Sequence, residues 1–375
     1  MSVLRRLIYR EVFTAVTTVT VAFIGLFFFF DFIDELSGIG KPAPGATQLV
    51  YELRHALLYV LLQTPNRMYD VLPISVLIGS VFVFARLAQS SEYTILRTSG
   101  LGPWRALRML LGLASAFVVI TFVVGDYAAP EATKAGQLLK ARFAGRLDAG
   151  PTGAWLKERQ NGQEALVNVL ALSPDGQLQN IRIFEYNQQG NLLARTQAQT
   201  GWITPDDTWQ LSQVVRTEFA GHRHAGTDTP LTPTQTLPSL NWPSTLTTEM
   251  VSVAFLQPDR MSTLALYSYV QHLDATGQSS QLYEIAFWRK VFYPLSCLVM
   301  MVLALPFAYL HFRSGSITGY VFGGVMIGIS FFLLNNVFGY IGRLNDWQPW
   351  LAAASPSLIY TLISLSAFGW LVLRR

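Results

Sequence analysis

Apolar and polar residues follow two regimes along this chain. Long runs without charge cover Val12–Phe30, Val71–Ala85, Met109–Gly125, Val291–Leu310, Ser314–Gly342 and Trp347–Leu373. A helix needs about 20 mainly apolar residues to cross a bilayer, so these runs predict six crossings, the second and third being short. Ala56–Leu62 is also apolar. The second helix therefore begins before Asp70, and Pro65 and Pro73 are expected to bend or break it. Between the third and fourth runs the rhythm becomes alternating. GAWLKE, EALVNVLAL, LQNIRIFEYN, NLLARTQAQTGWI and TWQLSQVVRTEF are short β-rich stretches. Turn signals separate them at Asp175-Gly176, Gln189-Gly190-Asn191 and Pro205-Asp206-Asp207. An antiparallel β domain follows from this pattern, and a sandwich, a jelly roll and a barrel all remain compatible with it. Gly221–Pro243, rich in Thr, Pro and Gly, reads as a loop crossing that domain. After it, Ser262 caps a helix from Thr263 to about Ala275, closed by Gly277.

Composition fixes the solvent. Hydrophobic residues make up 51% of the chain and charged residues 13%, well below the roughly one quarter usual in soluble domains. Mean hydropathy is +0.33. Threading six spans in order puts Arg5, Arg6, Arg10, Arg86, Arg97, Arg105, Arg108, Arg313, Arg374 and Arg375 on one side, which the positive-inside rule makes cytoplasmic. Both termini are then cytoplasmic, and the stretch from Asp126 to about Glu284 lies on the opposite side. The first apolar run is too long for a cleaved leader.

Signatures of reaction chemistry are sparse in this sequence. The chain has no G-x-x-x-x-G-K-[ST], H-E-x-x-H or G-x-S-x-G. Cys297 is the single cysteine, so no disulfide or thiolate metal site forms within one chain. His222 and His224 form an H-x-H pair without further partners, and His272 and His311 read as interfacial histidines. A net charge of +4 reflects arginines at the membrane edge, which membrane topology and anionic lipid explain without nucleic acid.

The membrane segments carry more information. Gly319, Gly323, Gly324 and Gly328 supply two small-x-x-x-small pairs, suited to close packing within the bundle, to a second subunit, or to a gate. Asn335 and Asn336 should face protein or a cavity, and Pro294 and Pro306 should kink the fourth span. Above the third span, GDYAAPEATKAGQLLKARF carries Lys134, Lys140 and Arg142, cations placed to meet an anionic head group or to remain solvated. Between the second and third spans, LAQSSEYTILRTSG reads as a short helix across the cytoplasmic face, held by lipid or docked in a groove on a cytosolic partner.

Four stretches carry a family resemblance: FIDEL at 32–36, YDVLPISVLIGSVFVFARLAQSSEYTILRTSG at 69–100, GAWLK at 153–157, and HLDATGQSSQLYEIAFWRKVFYPLS at 272–296. In this order, and over nearly the whole chain, the sequence resembles the LptF/LptG permease family of the lipopolysaccharide exporter, and its LptG branch more than its LptF branch. The resemblance implies an α-helical membrane protein with six transmembrane helices and a periplasmic antiparallel β domain of jelly-roll type. It implies an inner-membrane subunit paired with an LptF-like permease, driven by a cytosolic LptB-like ATPase dimer, and working with LptC-like and LptA-like periplasmic proteins. Such a pair extracts lipopolysaccharide from the inner membrane and passes it to a periplasmic bridge. No cofactor is implied for this chain, since the partner ATPase uses the ATP. By the same resemblance Ser91, Glu92 and Gly100 belong to the coupling helix in the ATPase groove. The first and fifth spans line lateral gates, which gives Gly319, Gly323, Gly324 and Gly328 a role. At the outer end of the first span some relatives carry lysines toward lipid A phosphates. Here FDFIDELSGIGK offers Asp31 and only Lys41 as a base, and Gln137 fills a place that is often basic, so phosphate contacts shift toward Lys140 and Arg142, with Lys134 beside them.

The expected organisation is residues 1–128 for three spans with the coupling helix near 87–102, 129–260 for the β domain, and 261–375 for a connecting helix and three spans. Two rival functions stand beside lipopolysaccharide export. One is a permease for another envelope lipid or a lipoprotein, and the other is a membrane-bound lipid-modifying enzyme.

Overall fold

The computed structural model of the chain describes residues 2–43, 46–90, 102–144, 147–148, 153–160, 163–173, 175–204, 208–219, 234–247, 250–251, 254–255, 258–309 and 317–373. These divide into two compact units. One comprises Met1–Ser37, Val60–Thr133 and Gln281–Arg375, and the other Gly38–Tyr59 and Lys134–Ser280.

The first unit is helical. It contains α1 (Ser2–Leu36), most of α2 (Leu53–Gln89) and α3 (Pro103–Val123), then α6 (Gln281–Phe292), α7 (Ser296–Ala304), α8 (Ile317–Leu344) and α9 (Pro349–Leu373). Five helices are long and apolar enough to cross a membrane; α6 and α7, bent by 46° at the break that holds Pro294, make a sixth span when taken together. Pro306 lies in the tight 3-10 turn Leu305–Tyr309. Both prolines thus interrupt the fourth span, as their missing N–H groups require.

Of the bend or break expected at Pro65 and Pro73, no break occurs: α2 continues through both. Its surroundings account for this. Most of α2's apolar stretch, 78%, is buried, and neighbouring helices within a membrane bundle can re-satisfy the carbonyls that a proline frees. Near Pro73 the Tyr293 hydroxyl donates to the Asp70 carbonyl at 2.5 Å.

Val12 and Val16 of α1, Leu77 and Val81 of α2, and Phe117 of α3 meet Met300 and Met301 in one apolar core. α1 and α2 approach so closely that a Cβ on Gly79 would stand 2.8 Å from the Val16 nitrogen. Between lipid-exposed helices such packing gives dispersion contact in place of a hydrophobic drive, so small residues matter at the crossings. Polar pairs reinforce it. Ser80 Oγ donates to Met301 Sδ at 3.2 Å, and Ser330 Oγ meets the Tyr360 hydroxyl at 2.5 Å.

The second unit is built on one antiparallel sheet. Its strands are β3 (Leu147–Asp148), β4 (Ala154–Gln160), β5 (Gln163–Leu172), β6 (Leu178–Tyr186), β7 (Leu192–Ile203), β8 (Thr208–Glu218) and β9 (Thr234–Pro243). From β4 to β9 each strand pairs with the next in sequence, and β3 adds to β5 beyond the end of β4. The expected antiparallel β domain is therefore present as an unclosed meander among the described residues, without a jelly roll's long crossovers there.

One expected loop is corrected. Residues 234–243, read as the end of a loop, form β9 along β8. Pro238 concealed it, yet an edge strand tolerates proline because its outer N–H positions need no ladder partner. Pro238 faces Gln213, where β8 itself leaves regular geometry with φ 54°. Trp242 of β9 packs edge-on against the fully buried Trp209 at 5.7 Å, and Trp209 Nε1 donates to the Leu246 carbonyl at 3.0 Å.

A short hairpin, β1 (Pro42–Ala43) and β2 (Ala46–Val50), the start of α2, α4 (Ala129–Ala144, from Lys134 on) and α5 (Thr263–Ala275) complete this unit. Ser262 Oγ accepts from the Ala265 N–H at 3.2 Å and Gly277 turns with φ 65°, the cap and stop that the sequence predicts for α5.

Candidate functional site

All four cations expected to meet a lipid head group fall in the second unit. Lys134, Lys140 and Arg142 lie on α4, Lys41 opens the hairpin, and all four are exposed. At about 100° per residue, Lys140 and Arg142 stand about 200° apart, so one face of α4 cannot present both. The Lys140 ammonium sits 4.6 Å from the Tyr59 ring centroid, a cation–π contact with the start of α2. Arg142 makes no ion pair among the described residues. Beside it Phe143 packs on Tyr51 at 5.1 Å and on His55 at 4.5 Å, while the Tyr51 N–H donates to the Lys41 carbonyl at 3.1 Å. Tyr51 thus ties the Lys41 backbone to the end of α4 that carries Arg142.

At the FIDEL end of α1 the structure contains a base that sequence reasoning overlooked. Arg67 of α2 forms a two-pronged ion pair with Asp31, Nε to Oδ2 at 2.9 Å and Nη2 to Oδ1 at 2.6 Å, and its guanidinium lies 5.3 Å from the Phe27 ring. Asp31 is thereby engaged within the chain. The signal was available: a carboxylate at the edge of an apolar run needs a cation, and Arg67 stands between Pro65 and Asp70.

Lys290 was overlooked as well. α3 ends in a π turn, Val124–Ala128, whose wider backbone spacing disrupts the regular carbonyl ladder. Lys290 is buried and donates to the Gly125 carbonyl of that turn at 2.8 Å, with its ammonium 5.9 Å from the Tyr69 ring. Gly125 is required there, because a Cβ would stand 2.3 Å from Tyr69. A lysine seven residues before Cys297 signals a buried partner by itself; the π turn has no sequence signature that identifies it.

The four glycines of α8 divide between two faces. A Cβ on Gly324 would touch Val81 at 3.5 Å, and one on Gly328 would meet Ile74 at 2.8 Å, so this pair serves packing against α2. Gly319 and Gly323 have open space beside them. Phe322, Met326, Leu333, Val337 and Asn336 of α8 are exposed. Asn335 is half-buried. Only 17% of the most apolar stretch of α8 is buried, and the same holds for α1.

Ser91, Glu92 and Gly100 lie outside the described residues, as do His222, His224 and His311.

A model of the family described as lipopolysaccharide export system permease LptF/LptG matches residues 6–374. The chain belongs to this family. The permease is 28% identical over 376 residues to the lipopolysaccharide export system permease protein LptG of Escherichia coli strain K12, covering 100% of this chain and 98% of that protein. It is 26% identical over 375 residues to the protein of the same description from Haemophilus influenzae, covering 99% and 98%. An LptF/LptG permease is a transport subunit, consistent with helices that can span a membrane.

Proposed function

We propose that this permease is half of the membrane channel of an ATP-driven lipopolysaccharide exporter in the bacterial inner membrane. Both termini lie in the cytoplasm and the β domain in the periplasm. The observation that carries the reading is the openness of α1 and α8: each buries only 17% of its most apolar stretch, and α8 leaves open space beside Gly319 and Gly323 and exposes Asn336. An asparagine at membrane depth has to face protein or a water-lined cavity, and open glycines admit a closely approaching helix. An LptF-like subunit beside these helices meets both needs and encloses a lipid cavity between two half-channels.

Lipid A phosphates meet Lys134, Lys140, Arg142 and Lys41 at the periplasmic side, Lys140 and Arg142 from different faces of α4, while the acyl chains occupy the apolar cavity. Each methylene buried there is worth about 0.8 kcal/mol, so release of a whole lipid requires work. A cytosolic LptB-like ATPase dimer supplies it, engaging residues 87–102 through Ser91, Glu92 and Gly100. LptC-like and LptA-like proteins carry the lipid onward. Photo-crosslinking from positions 140 and 142 in membranes tests the reading: adducts with lipopolysaccharide that decrease when ATP is turned over are expected. Adducts with phospholipid or lipoprotein alone would replace it with a permease for another envelope component.

A further inference from the structure

A second lipid site is indicated at the other end of α1 and α2. There the two helices border a cleft of about 450 Å³ within the helical unit. Its α1 wall is graded along the helix axis: Arg10 and Glu11 at one end, then Thr14 and Thr18, then Val19. At 1.5 Å per residue this wall covers about 14 Å, enough to run from a charged head group past the glycerol into the first methylenes of an acyl chain. The α2 wall repeats the gradient in the opposite chain direction, from Phe82 to Arg86 in the last helical turn. Among the described residues neither Arg10 nor Arg86 forms an ion pair, and nor does Glu11. The cleft also opens sideways, since Arg10, Thr14, Thr18, Phe82 and Arg86 are all exposed.

We propose that this cleft binds a phosphoethanolamine lipid of the adjacent leaflet. Two guanidinium groups fit a phosphodiester, Glu11 fits the primary ammonium attached to it, and the apolar end takes the start of an acyl chain. Glu11 decides the head group. A carboxylate beside an anion is unfavourable unless the ligand brings its own cation, and a primary ammonium donates hydrogen bonds that a trimethylammonium cannot. The depth gradient argues for a lipid over a protein segment, because charge, hydroxyl and hydrocarbon occur in the order in which a bilayer presents their counterparts. The proposal takes from the functional reading only that α1 and α2 lie in a bilayer.

The test is native mass spectrometry of the full-length chain in detergent, titrated separately with phosphatidylethanolamine, phosphatidylglycerol and phosphatidylcholine of identical acyl chains, and with glycerophosphoethanolamine. Phosphatidylethanolamine should bind best and the chain-free head group weakly. Arg86→Gln or Arg10→Gln should lower its affinity about tenfold, the loss of one charge-assisted hydrogen bond. Glu11→Gln should abolish the preference for ethanolamine over choline while phosphatidylglycerol binding persists, an outcome that unfolding would not produce. Equal binding of all three lipids, tight binding of the free head group, or indifference to these substitutions would overturn the proposal. Lipopolysaccharide transport does not enter this measurement, so the two readings fail separately.

Discussion

Arg67 and Asp31 form an ion pair whose loss should depend on how it is removed. With side-chain exposures of 36% and 19% the pair is partly solvated in the isolated chain, and a bilayer around α1 withdraws much of that water. Arg67→Met leaves Asp31 charged and alone, and should cost about 1–3 kcal/mol in thermal unfolding of the purified chain. Asp31→Asn combined with Arg67→Met should recover most of that loss, and a double variant as unstable as the single one would show that packing of the Arg67 stem on Phe27 dominates. Acid should act on the β-domain unit through two groups. Burial holds the His272 pKa below its ordinary 6.5, against the opposing pull of the Glu158 carboxylate, and the buried Nε2 has no hydrogen-bond partner among the described residues. The unfolded chain therefore takes up that proton first, and stability should fall as the pH drops below about 6.5. Glu164 is shifted down from 4.5 by hydrogen bonds from Arg159 and Lys157, so its contribution is present above 4.5 and is lost only as the pH falls further. In melts of the full chain followed by tryptophan fluorescence, His272→Leu should flatten the first decline and leave the second. These partnerships are poorly legible in sequence, because 36 residues separate Asp31 from Arg67 and 165 separate Gly125 from Lys290.

For whole elements, legibility followed how far pattern alone sets the outcome. The apolar runs predicted the membrane helices, and the cap at Ser262 with Gly277 predicted α5, because the determinants are local. The continuity of α2 and the strand β9 were obscured by proline, whose effect depends on its neighbours: Pro65 and Pro73 sit in a helix surrounded by others, and Pro238 sits on a sheet edge. The glycine pattern of α8 was visible, but its division into two faces required knowing which side meets α2. That division makes two substitutions diverge. Gly328→Leu should destabilise the chain itself, since even a Cβ stands 2.8 Å from Ile74. Gly323→Leu should leave the melting temperature of the isolated chain unchanged and weaken co-purification with an LptF-like subunit. Equal effects of both on the melt would mean that Gly323 also packs within this bundle.

At the scale of the molecule, composition and rhythm were enough to make a membrane bundle with an antiparallel β domain legible. The unclosed meander was not, because alternation fixes the strands without fixing their pairing order. Family membership places the chain among lipopolysaccharide export permeases, and the coupling proposed through residues 87–102 is what turns that membership into a mechanism. The most direct measurement is ATP-dependent transfer of lipopolysaccharide from proteoliposomes that hold this chain, an LptF-like subunit and the ATPase dimer to an LptC-like and LptA-like acceptor. The account predicts transfer that requires all of these components and falls severalfold with Glu92→Ala. Transfer that persists without the ATPase, or is undiminished by Glu92→Ala, would contradict it.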